Sequence, residues 1–294
     1  MKRLLIVDGH AYAYRAFHAI RDLRSPSGQP TNAIYGFVKM LGKMRTLVQP
    51  TDLMVVWDGG LSEERRRLLP DYKAQRAEMP LDLRPQLDEM SRYLAAAGVA
   101  EYCGDGVEAD DYIASLARRA AAADWSVVIA SSDKDFMQLV SDRIGLLNPN
   151  DKSGAVWKPE QVWSKTGVRP DQVADWLALM GDAVDNIPGV PGVGTKTAAE
   201  LLKQFGSIDG LFSRLSEVKS ERLRMALQKA VADIRRNQAL VRLPDVPGDF
   251  LPEQLSLRPV NNGALRELFG GWGFKGMLAG LDAALISEKQ SELI

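Results

Sequence analysis

Several acidic residues lie directly after apolar runs that are typical of β-strands. Asp8 follows LLIV and Asp58 follows MVVW. Asp133 and Asp135 follow the run VVIASS. A single aspartate of this kind could cap a helix or end a turn. Because the carboxyl ends of parallel strands meet at one edge of a sheet, three strands with the same feature predict a shared site.

Two further groups of acids lie at the ends of predicted helices. Glu108, Asp110 and Asp111 begin the helix in GVEADDYIASLARR, where the helix dipole attracts negative charge, but three acids in four positions exceed that need. Asp182 and Asp185 in LMGDAVDNIPG follow a helix, where the dipole disfavours negative charge. A compensating cation is therefore expected beside them.

The chemistry that these carboxylates could perform is limited by what the chain lacks. Two histidines, His10 and His18, and one cysteine, Cys103, are too few for the usual nitrogen and sulfur zinc cage or an internal disulfide. The same scarcity disfavours a cysteine protease or a serine hydrolase triad, although one histidine could serve in such a triad. Clustered carboxylates raise one another's pKa unless cations neutralise them. Oxygen ligands select Mg²⁺ or Mn²⁺, which keep positions open for phosphate oxygens. We therefore predict hydrolysis of a phosphodiester by a two-metal site.

A glycine-rich segment, IPGVPGVGTKTAAELLKQFG, could be mistaken for a nucleotide-binding loop. A Walker A loop requires lysine directly after the last glycine, whereas Thr195 stands between Gly194 and Lys196. We predict instead a helix, hairpin and helix whose backbone N–H groups bind DNA phosphates. An ordinary tight connection between packed helices is the alternative, which explains one glycine better than all three of Gly189, Gly192 and Gly194.

The arrangement of strand-like and helix-like segments predicts the fold. Apolar runs without alternation are typical of parallel strands covered by helices on both faces, and the helix from Thr31 has apolar residues at steps of three and four. We predict an α/β fold, with a central, mainly parallel sheet and flanking helices, over residues 1–165. Residues 166–294 are predicted to form a helical DNA-binding subdomain, with the hairpin motif at about 182–206. The basic segment at about 61–85 interrupts the α/β pattern and has no obvious core face.

Composition and charge narrow the class of protein. The hydrophobic fraction of 46% and the charged fraction of 26% are globular values, and no apolar run is long enough to span a membrane or act as a signal peptide. A reduced, cytoplasmic chain is the expectation. The formal net charge is −1, and the nine acids named above account for more than this negative charge. The rest of the chain therefore carries a net positive charge, which suits binding to a DNA backbone.

Many separate motifs occur in the order of a known family. They are LLIVDGHAYAYRAFHA, AIYGFVK, VVWDG, DYKAQRA, VEADDYIASLA, ASSDKDFMQLV, GDAVDNIPGVPGVGTKTA and GFKGML. Over nearly its whole length the chain resembles the 5′ nuclease family of flap endonucleases and 5′-3′ exonucleases, most closely the nuclease domain of bacterial DNA polymerase I. The resemblance implies a PIN-like or resolvase-like nuclease core with a helical arch and a helix-hairpin-helix motif.

The resemblance also implies roles for individual residues. The first group of metal ligands would be Asp8, Asp58, Glu108, Asp110 and Asp111. The second group would be Asp133, Asp135, Asp182 and Asp185. Two or more Mg²⁺ or Mn²⁺ ions would act in the active site, with K⁺ at the hairpin. Lys73 and Arg76 would steady the scissile phosphate.

The basic segment looks like the family's arch, under or through which a 5′ single strand passes. The DNA-binding residues implied by the resemblance are Tyr14, Arg15, Arg65, Tyr72, Gly189, Gly192, Gly194, Lys196 and Thr197. Tyr72 could stack on a base or pack inside the protein, and both alternatives stay open. The chain departs from the family at Glu64 and Trp57, where related sequences often carry phenylalanine.

The expected activity is that of a structure-specific DNA 5′ nuclease, both 5′-3′ exonuclease and flap endonuclease, in DNA replication or repair. Its expected partners are DNA with flaps, nicks or 5′ ends and a separate DNA polymerase, with the chain a monomer. A PIN-type ribonuclease is the alternative enzyme, although it lacks the hairpin and the arch. A noncatalytic protein that binds DNA structures is a distant alternative, since such a protein would be expected to have lost several acids.

Overall fold

The computed structural model describes residues 2–247 and 252–291. The strands in these residues are β1 Arg3–Asp8, β2 Asp52–Trp57, β3 Ala100–Cys103, β4 Ser126–Ala130, β5 Ile144–Leu147 and β6 Val156–Trp157. The first helices are α1 Gly9–Ala19, α2 Asn32–Val48, α3 Glu63–Leu68, α4 Arg84–Ala96, α5 Ala109–Ala122 and α6 Pro159–Thr166. The later helices are α7 Val173–Met180, α8 Thr195–Phe205, α9 Ile208–Ser213, α10 Glu221–Lys229, α11 Val231–Val241, α12 Asn262–Trp272 and α13 Lys275–Ser291.

The chain divides into two compact units. Among the described residues, the larger unit comprises 58–78 and 103–247. The smaller unit comprises 2–57, 79–102 and 252–291.

The smaller unit contains the strand order β3-β2-β1. Strands β1 and β2 are parallel, with Leu4 opposite Asp52 and Asp8 opposite Val56. Every residue of β2 is buried, which explains why its sequence is a continuous apolar run without alternation. Helices α1 and α2 pack on each other, and the close approach leaves room for Gly36 but not for a larger side chain beside Ala16.

The larger unit contains the strand order β4-β5-β6, together with helices α3, α5 and α6 to α11. Strands β4 and β5 are parallel from Val127 opposite Ile144 to Ala130 opposite Leu147. Strand β6 pairs with β5 in the antiparallel direction. Mainly parallel strands with flanking helices, followed by helical elements from α6 onward, confirm the predicted fold class.

Some local features agree with the sequence patterns and others differ. Helix α2 begins directly after Thr31, as predicted from its apolar periodicity. Strand β6 was not indicated by the sequence, because its two residues are too few to produce a pattern. The basic segment contains the six-residue helix α3 and then turns, before α4 begins at Arg84. In the described part of the chain, no helix is both long enough and apolar enough to cross a membrane.

Candidate metal centre and active site

The turn after β4 places two of the predicted acids. Asp133 precedes a 3-10 helix, Lys134–Leu139, and its side chain accepts a hydrogen bond from the backbone N–H of Asp135 at 2.8 Å. The Ser131 hydroxyl accepts in turn from the N–H of Asp133 at 3.1 Å. These local hydrogen bonds fix the direction in which the chain leaves the strand.

The loop after α7 places two more acids. The helix ends at Met180, and Gly181 turns the chain with a φ of +77°. Asp182 and Ile187 then exchange two backbone hydrogen bonds, both 2.8 Å long. The Asp182 carboxylate accepts from the N–H of Val184 at 3.0 Å. The loop that carries Asp182 and Asp185 is therefore closed by its own backbone.

Three carboxylates in the larger unit converge to form what we call the acidic cluster, Asp135, Asp182 and Asp185. One oxygen from each lies within 4.8 Å of the others. The Oδ1 atom of Asp135 is buried and has no hydrogen-bond partner. A buried charged oxygen without a donor is costly, and a divalent cation with oxygen ligands satisfies it. The donor set therefore fits a hard divalent ion.

The electrostatics of the cluster point in the same direction. Burial raises the pKa of Asp133, and burial together with the charge of Asp133 raises the pKa of Asp135 well above its ordinary value. Two protein cations offset part of the charge: Lys134 Nζ lies 2.6 Å from Asp182, and Arg76 Nη2 lies 2.7 Å from Asp185. The compensation expected for the acids after α7 is therefore present.

Glu108, which caps α5, is the centre of a second group of contacts, here called the Glu108 network. Its side chain is almost fully buried. It accepts hydrogen bonds from Lys73 Nζ at 2.6 Å, Tyr72 Oη at 3.2 Å and the Ser62 N–H at 2.9 Å. It also forms an ion pair with Arg65, whose Nη1 lies 3.2 Å from the carboxylate. Burial opposes its ionisation, but the Lys73 and Arg65 cations outweigh burial and hold the pKa of Glu108 below its ordinary value.

Lys73 connects the Glu108 network with the acidic cluster. Its backbone N–H donates to the carbonyl of Asp185 at 3.0 Å, while its ammonium binds Glu108. The residue is 4% exposed and has a φ of +56°, a region that residues with a β-carbon rarely adopt. Burial lowers the pKa of Lys73, but the charges of Asp110 and Glu108 raise it above its ordinary value. Backbone strain at a buried charged residue is typical of functional sites.

The other four predicted metal ligands lie in four different settings. The Asp58 carboxylate accepts a 3.4 Å hydrogen bond from the N–H of Ala109 at the start of α5. Asp110 is partly exposed, with Oδ2 3.9 Å from Lys73 Nζ. Both oxygens of Asp111 bind Arg65. Asp8 belongs to the smaller unit, where it ends β1 and caps α1, and its role as a metal ligand stays a prediction.

The predicted DNA-binding side chains differ in exposure. Arg65 and Tyr72 are 5% and 4% exposed, and Tyr72 packs inside the protein with its hydroxyl on Glu108. Tyr14 and Arg15 lie on α1 in the smaller unit, where Arg15 is exposed and Tyr14 stacks on His18. Lys196 is exposed and Thr197 is half-buried in the first turn of α8.

The three glycines of the hairpin have different structural roles. A β-carbon on Gly189 would collide with the carbonyl of Met180, so this glycine allows a tight connection. Gly192 has a φ of +84° and needs glycine for its backbone conformation. Gly194 has no atom within 4 Å of where a β-carbon would lie, and it directly precedes α8. Gly192 has equally open space, so both glycines leave room for a phosphate, and Gly194 does so at the start of a helix.

Two contributions were missed by the sequence patterns. Lys134 pairs with Asp182, and its position between two acids in SSDKDF was a signal that could have indicated this. The burial of Arg65 had no sequence signal, because its partners Asp111 and Leu240 are 46 and 175 residues away.

Solved structures with a similar fold identify the class of protein. A T5 5′-exonuclease with bound divalent metal ions (zinc) is 26% identical, with a TM-score of 0.69, covering 83% of this chain and 90% of that chain. The catalytic core of Rad2 in complex with DNA substrate shares the fold at 18% identity, with a TM-score of 0.63, over 91% of this chain and 86% of that chain. The fold and the acidic cluster together define a metal-dependent nuclease.

Sequence comparisons then identify the family. Residues 3–167 match the 5′-3′ exonuclease N-terminal resolvase-like domain, and residues 168–263 match the 5′-3′ exonuclease C-terminal SAM fold. The chain belongs to the 5′-3′ exonuclease family. The resemblance seen in the sequence motifs and the predicted class of enzyme are confirmed.

Relatives of two lengths match the chain. A 5′-3′ exonuclease of Aquifex aeolicus is 36% identical over 100% of both chains. The thermostable DNA polymerase I of Thermus thermophilus is 39% identical over 83% of this chain but only 29% of the polymerase. The DNA polymerase I of Bacillus subtilis is 35% identical over 99% of this chain and 34% of the polymerase. The chain thus spans about a third of these polymerase relatives.

Proposed function

We propose that this chain is a structure-specific DNA 5′ nuclease that hydrolyses phosphodiester bonds with two divalent metal ions and leaves 5′-phosphate products. The observation that carries the proposal is the acidic cluster, whose oxygens lie within 4.8 Å of one another around the unpartnered Oδ1 of Asp135. The absence of histidine from this cluster favours Mg²⁺ or Mn²⁺ over softer ions.

The proposed mechanism assigns distinct tasks to the two groups of carboxylates. The acidic cluster, with Asp133, would hold one ion, and Asp58, Glu108 and Asp110 would hold the other. When bound, such ions polarise the scissile phosphate, lower the pKa of water and stabilise the leaving oxygen. Lys73 and Arg76 add positive charge beside both groups, where a transferring phosphate gains negative charge.

Two observations support DNA as the substrate. The open backbone at Gly194 and the exposed Lys196 face solvent at the start of α8, which suits a phosphate of a duplex. The T5 flap endonuclease and the Rad2 catalytic core are both described as complexes with DNA. We also propose that a K⁺ ion assists the hairpin in contacting the duplex.

The relatives support a role beside DNA synthesis. One is a 5′-3′ exonuclease of the same length, and others carry the matching segment within DNA polymerase I. We propose that the chain acts as a monomer in the cytoplasm, in replication or repair, on 5′ ends that a DNA polymerase meets or displaces.

The test is a cleavage assay with end-labelled substrates. Flap, nicked and single-stranded DNA, and RNA of the same sequences, are incubated with Mg²⁺ or with a chelator. We expect cleavage of flap and nicked DNA with Mg²⁺ and none with chelator. Preferential cleavage of RNA would favour the PIN-type ribonuclease, and binding without cleavage would favour the noncatalytic alternative.

A further inference from the structure

The most deeply buried arginine of the basic segment uses its whole guanidinium group inside the protein. Arg65 is 5% exposed, although it lies between exposed residues of α3. Its Nη1 and Nη2 atoms each donate to one oxygen of Asp111 at 2.7 Å. Nε donates to the carbonyl of Leu240 at 3.0 Å, and Nη2 also donates to the carbonyl of Arg242 at 3.1 Å. Nη1 is also 3.2 Å from a carboxylate oxygen of Glu108, so each nitrogen of the guanidinium has a partner inside the protein.

These contacts join three elements of the larger unit. They link α3, the first turn of α5 and the end of α11. A buried guanidinium is tolerated only when its donors are satisfied, and the planar fork of arginine matches a carboxylate in a way that lysine does not. Arg66, the next residue, is exposed. Arg65 therefore differs from its neighbour in being unable to reach DNA without losing five contacts.

The pairing with Arg65 also changes the expected role of Asp111. Both oxygens of Asp111 face the guanidinium, whereas Asp110 keeps a partly exposed carboxylate beside Lys73. Burial raises the pKa of Asp111 even though Arg65 opposes that rise, as expected for a carboxylate enclosed with its partner.

We propose that Arg65 is a positioning residue, which with Asp111 fixes the first turn of α5 so that Glu108 and Asp110 are held in the geometry for catalysis. Asp111 is then the partner of the arginine and not a metal ligand, and Arg65 is not a DNA contact. The inference rests on the proposed nuclease function.

The two possible roles of Arg65 predict opposite kinetics. A residue that positions catalytic carboxylates affects the rate at saturating DNA, and a displacement of about 1 Å can cost about a hundredfold. A phosphate contact instead affects affinity, and its loss lowers the salt slope of DNA binding by about one. The exposed Arg66 provides a matched control in the same helix.

The first experiment compares Arg65→Lys with Arg66→Lys. Single-turnover cleavage is measured at saturating flap DNA with Mg²⁺, and DNA affinity is measured with Ca²⁺. We expect Arg65→Lys to cleave about a hundredfold more slowly with an affinity within about twofold of the unsubstituted protein. Arg66→Lys should match the unsubstituted protein in rate. Weaker binding by Arg65→Lys with an unchanged rate would overturn the proposal.

The second experiment is a double-mutant cycle with Arg65→Gln and Asp111→Asn. Circular dichroism verifies that each variant is folded. If the arginine variants unfold, Asp111→Asn still tests the pair, because this substitution leaves the other contacts of Arg65 in place. If the two residues act as one unit, the double variant loses no more rate than the worse single variant. The number of Mn²⁺ ions bound, measured by titration, should be unchanged in Asp111→Asn. The assignment would be contradicted if the fold-loss of cleavage rate in the double variant equalled the product of the two single losses. It would also be contradicted if Asp111→Asn bound one Mn²⁺ ion fewer.

The outcomes also separate this inference from the proposed function. If the unsubstituted protein cleaves no nucleic acid with Mg²⁺, the proposed function fails. If it cleaves flap DNA and Arg65→Lys cleaves equally fast, only the positioning role fails.

Discussion

Replacing Asp135 with asparagine should stabilise the metal-free protein and remove the stabilisation that an ion at the acidic cluster provides. Burial and the Asp133 charge raise the pKa of Asp135, and its Oδ1 has no hydrogen-bond donor. A carboxyl with a raised pKa binds more protons in the folded state than in the unfolded state. Asp135 therefore contributes favourably to folding stability below the unfolded pKa of about 3.9, and this contribution is lost as the pH rises through the folded pKa of Asp135. At neutral pH, where the unfolded carboxyl is ionised, the raised pKa of Asp135 therefore lowers the stability of the folded protein.

The size of the effect follows from the single unpartnered oxygen. A buried polar atom without a partner costs about 1 to 3 kcal/mol. For a protein of this size each kcal/mol shifts the melting temperature by about 2 to 4 °C. We therefore expect Asp135→Asn to melt roughly 2 to 12 °C higher in chelator at neutral pH. Mg²⁺ at a hundred times the dissociation constant of the acidic cluster should stabilise the unsubstituted protein by about 2.7 kcal/mol through that one site, and the variant should lose this part of the gain.

The assay is thermal denaturation from pH 5 to pH 8, in chelator and in Mg²⁺. Asp105→Asn, which replaces an exposed aspartate in the same unit, is the control. Its melting temperature should equal that of the unsubstituted protein both in chelator and in Mg²⁺. The reasoning is refuted if Asp135→Asn melts at the same or a lower temperature in chelator and still responds to Mg²⁺ like the unsubstituted protein.

Three further predictions follow from other contacts. Lys73→Met should slow single-turnover cleavage about a hundredfold to a thousandfold, or about 2.7 to 4 kcal/mol, without weakening DNA binding, and a loss below about threefold in a rapid-quench assay would contradict this. Gly194→Ala should lower duplex affinity in an anisotropy titration and leave the melting temperature unchanged, whereas Gly189→Ala, whose β-carbon meets the Met180 carbonyl, should lower the melting temperature. The pKa of Glu108 is lowered, so its ionised carboxylate stabilises the folded protein above the unfolded pKa of about 4.3. This stabilisation is lost as the pH falls through the folded pKa of Glu108. In thermal melts at acid pH, Glu108→Gln should therefore lose less stability than the unsubstituted protein.

Features that depend on nearby residues could be predicted from the sequence. The apolar period of α2 gave its position, and continuous apolar runs gave the buried strands β1, β2 and β4. Acids at the ends of these runs indicated the site, because strand ends and helix starts are local signals. Strands β5 and β6 have four and two residues and carry too little pattern.

Features that depend on distant residues could not be predicted in this way. Arg65 and Tyr72 belong to a segment without an obvious core face, yet both are buried on partners that are 36 to 177 residues away. The spacing of the hairpin glycines did not separate Gly189, which avoids a collision, from Gly194, which has open space. In each case the deciding contact is a tertiary contact.

The central claim is that the acidic cluster holds a divalent ion. The most direct test is anomalous scattering from crystals of this protein soaked in Mn²⁺. The account predicts a peak at about 2.1 Å from carboxylate oxygens of Asp135, Asp182 and Asp185, which lie within 4.8 Å of one another, and its loss in Asp135→Asn. Bound Mn²⁺ only at other carboxylates, with none at these three, would contradict the claim.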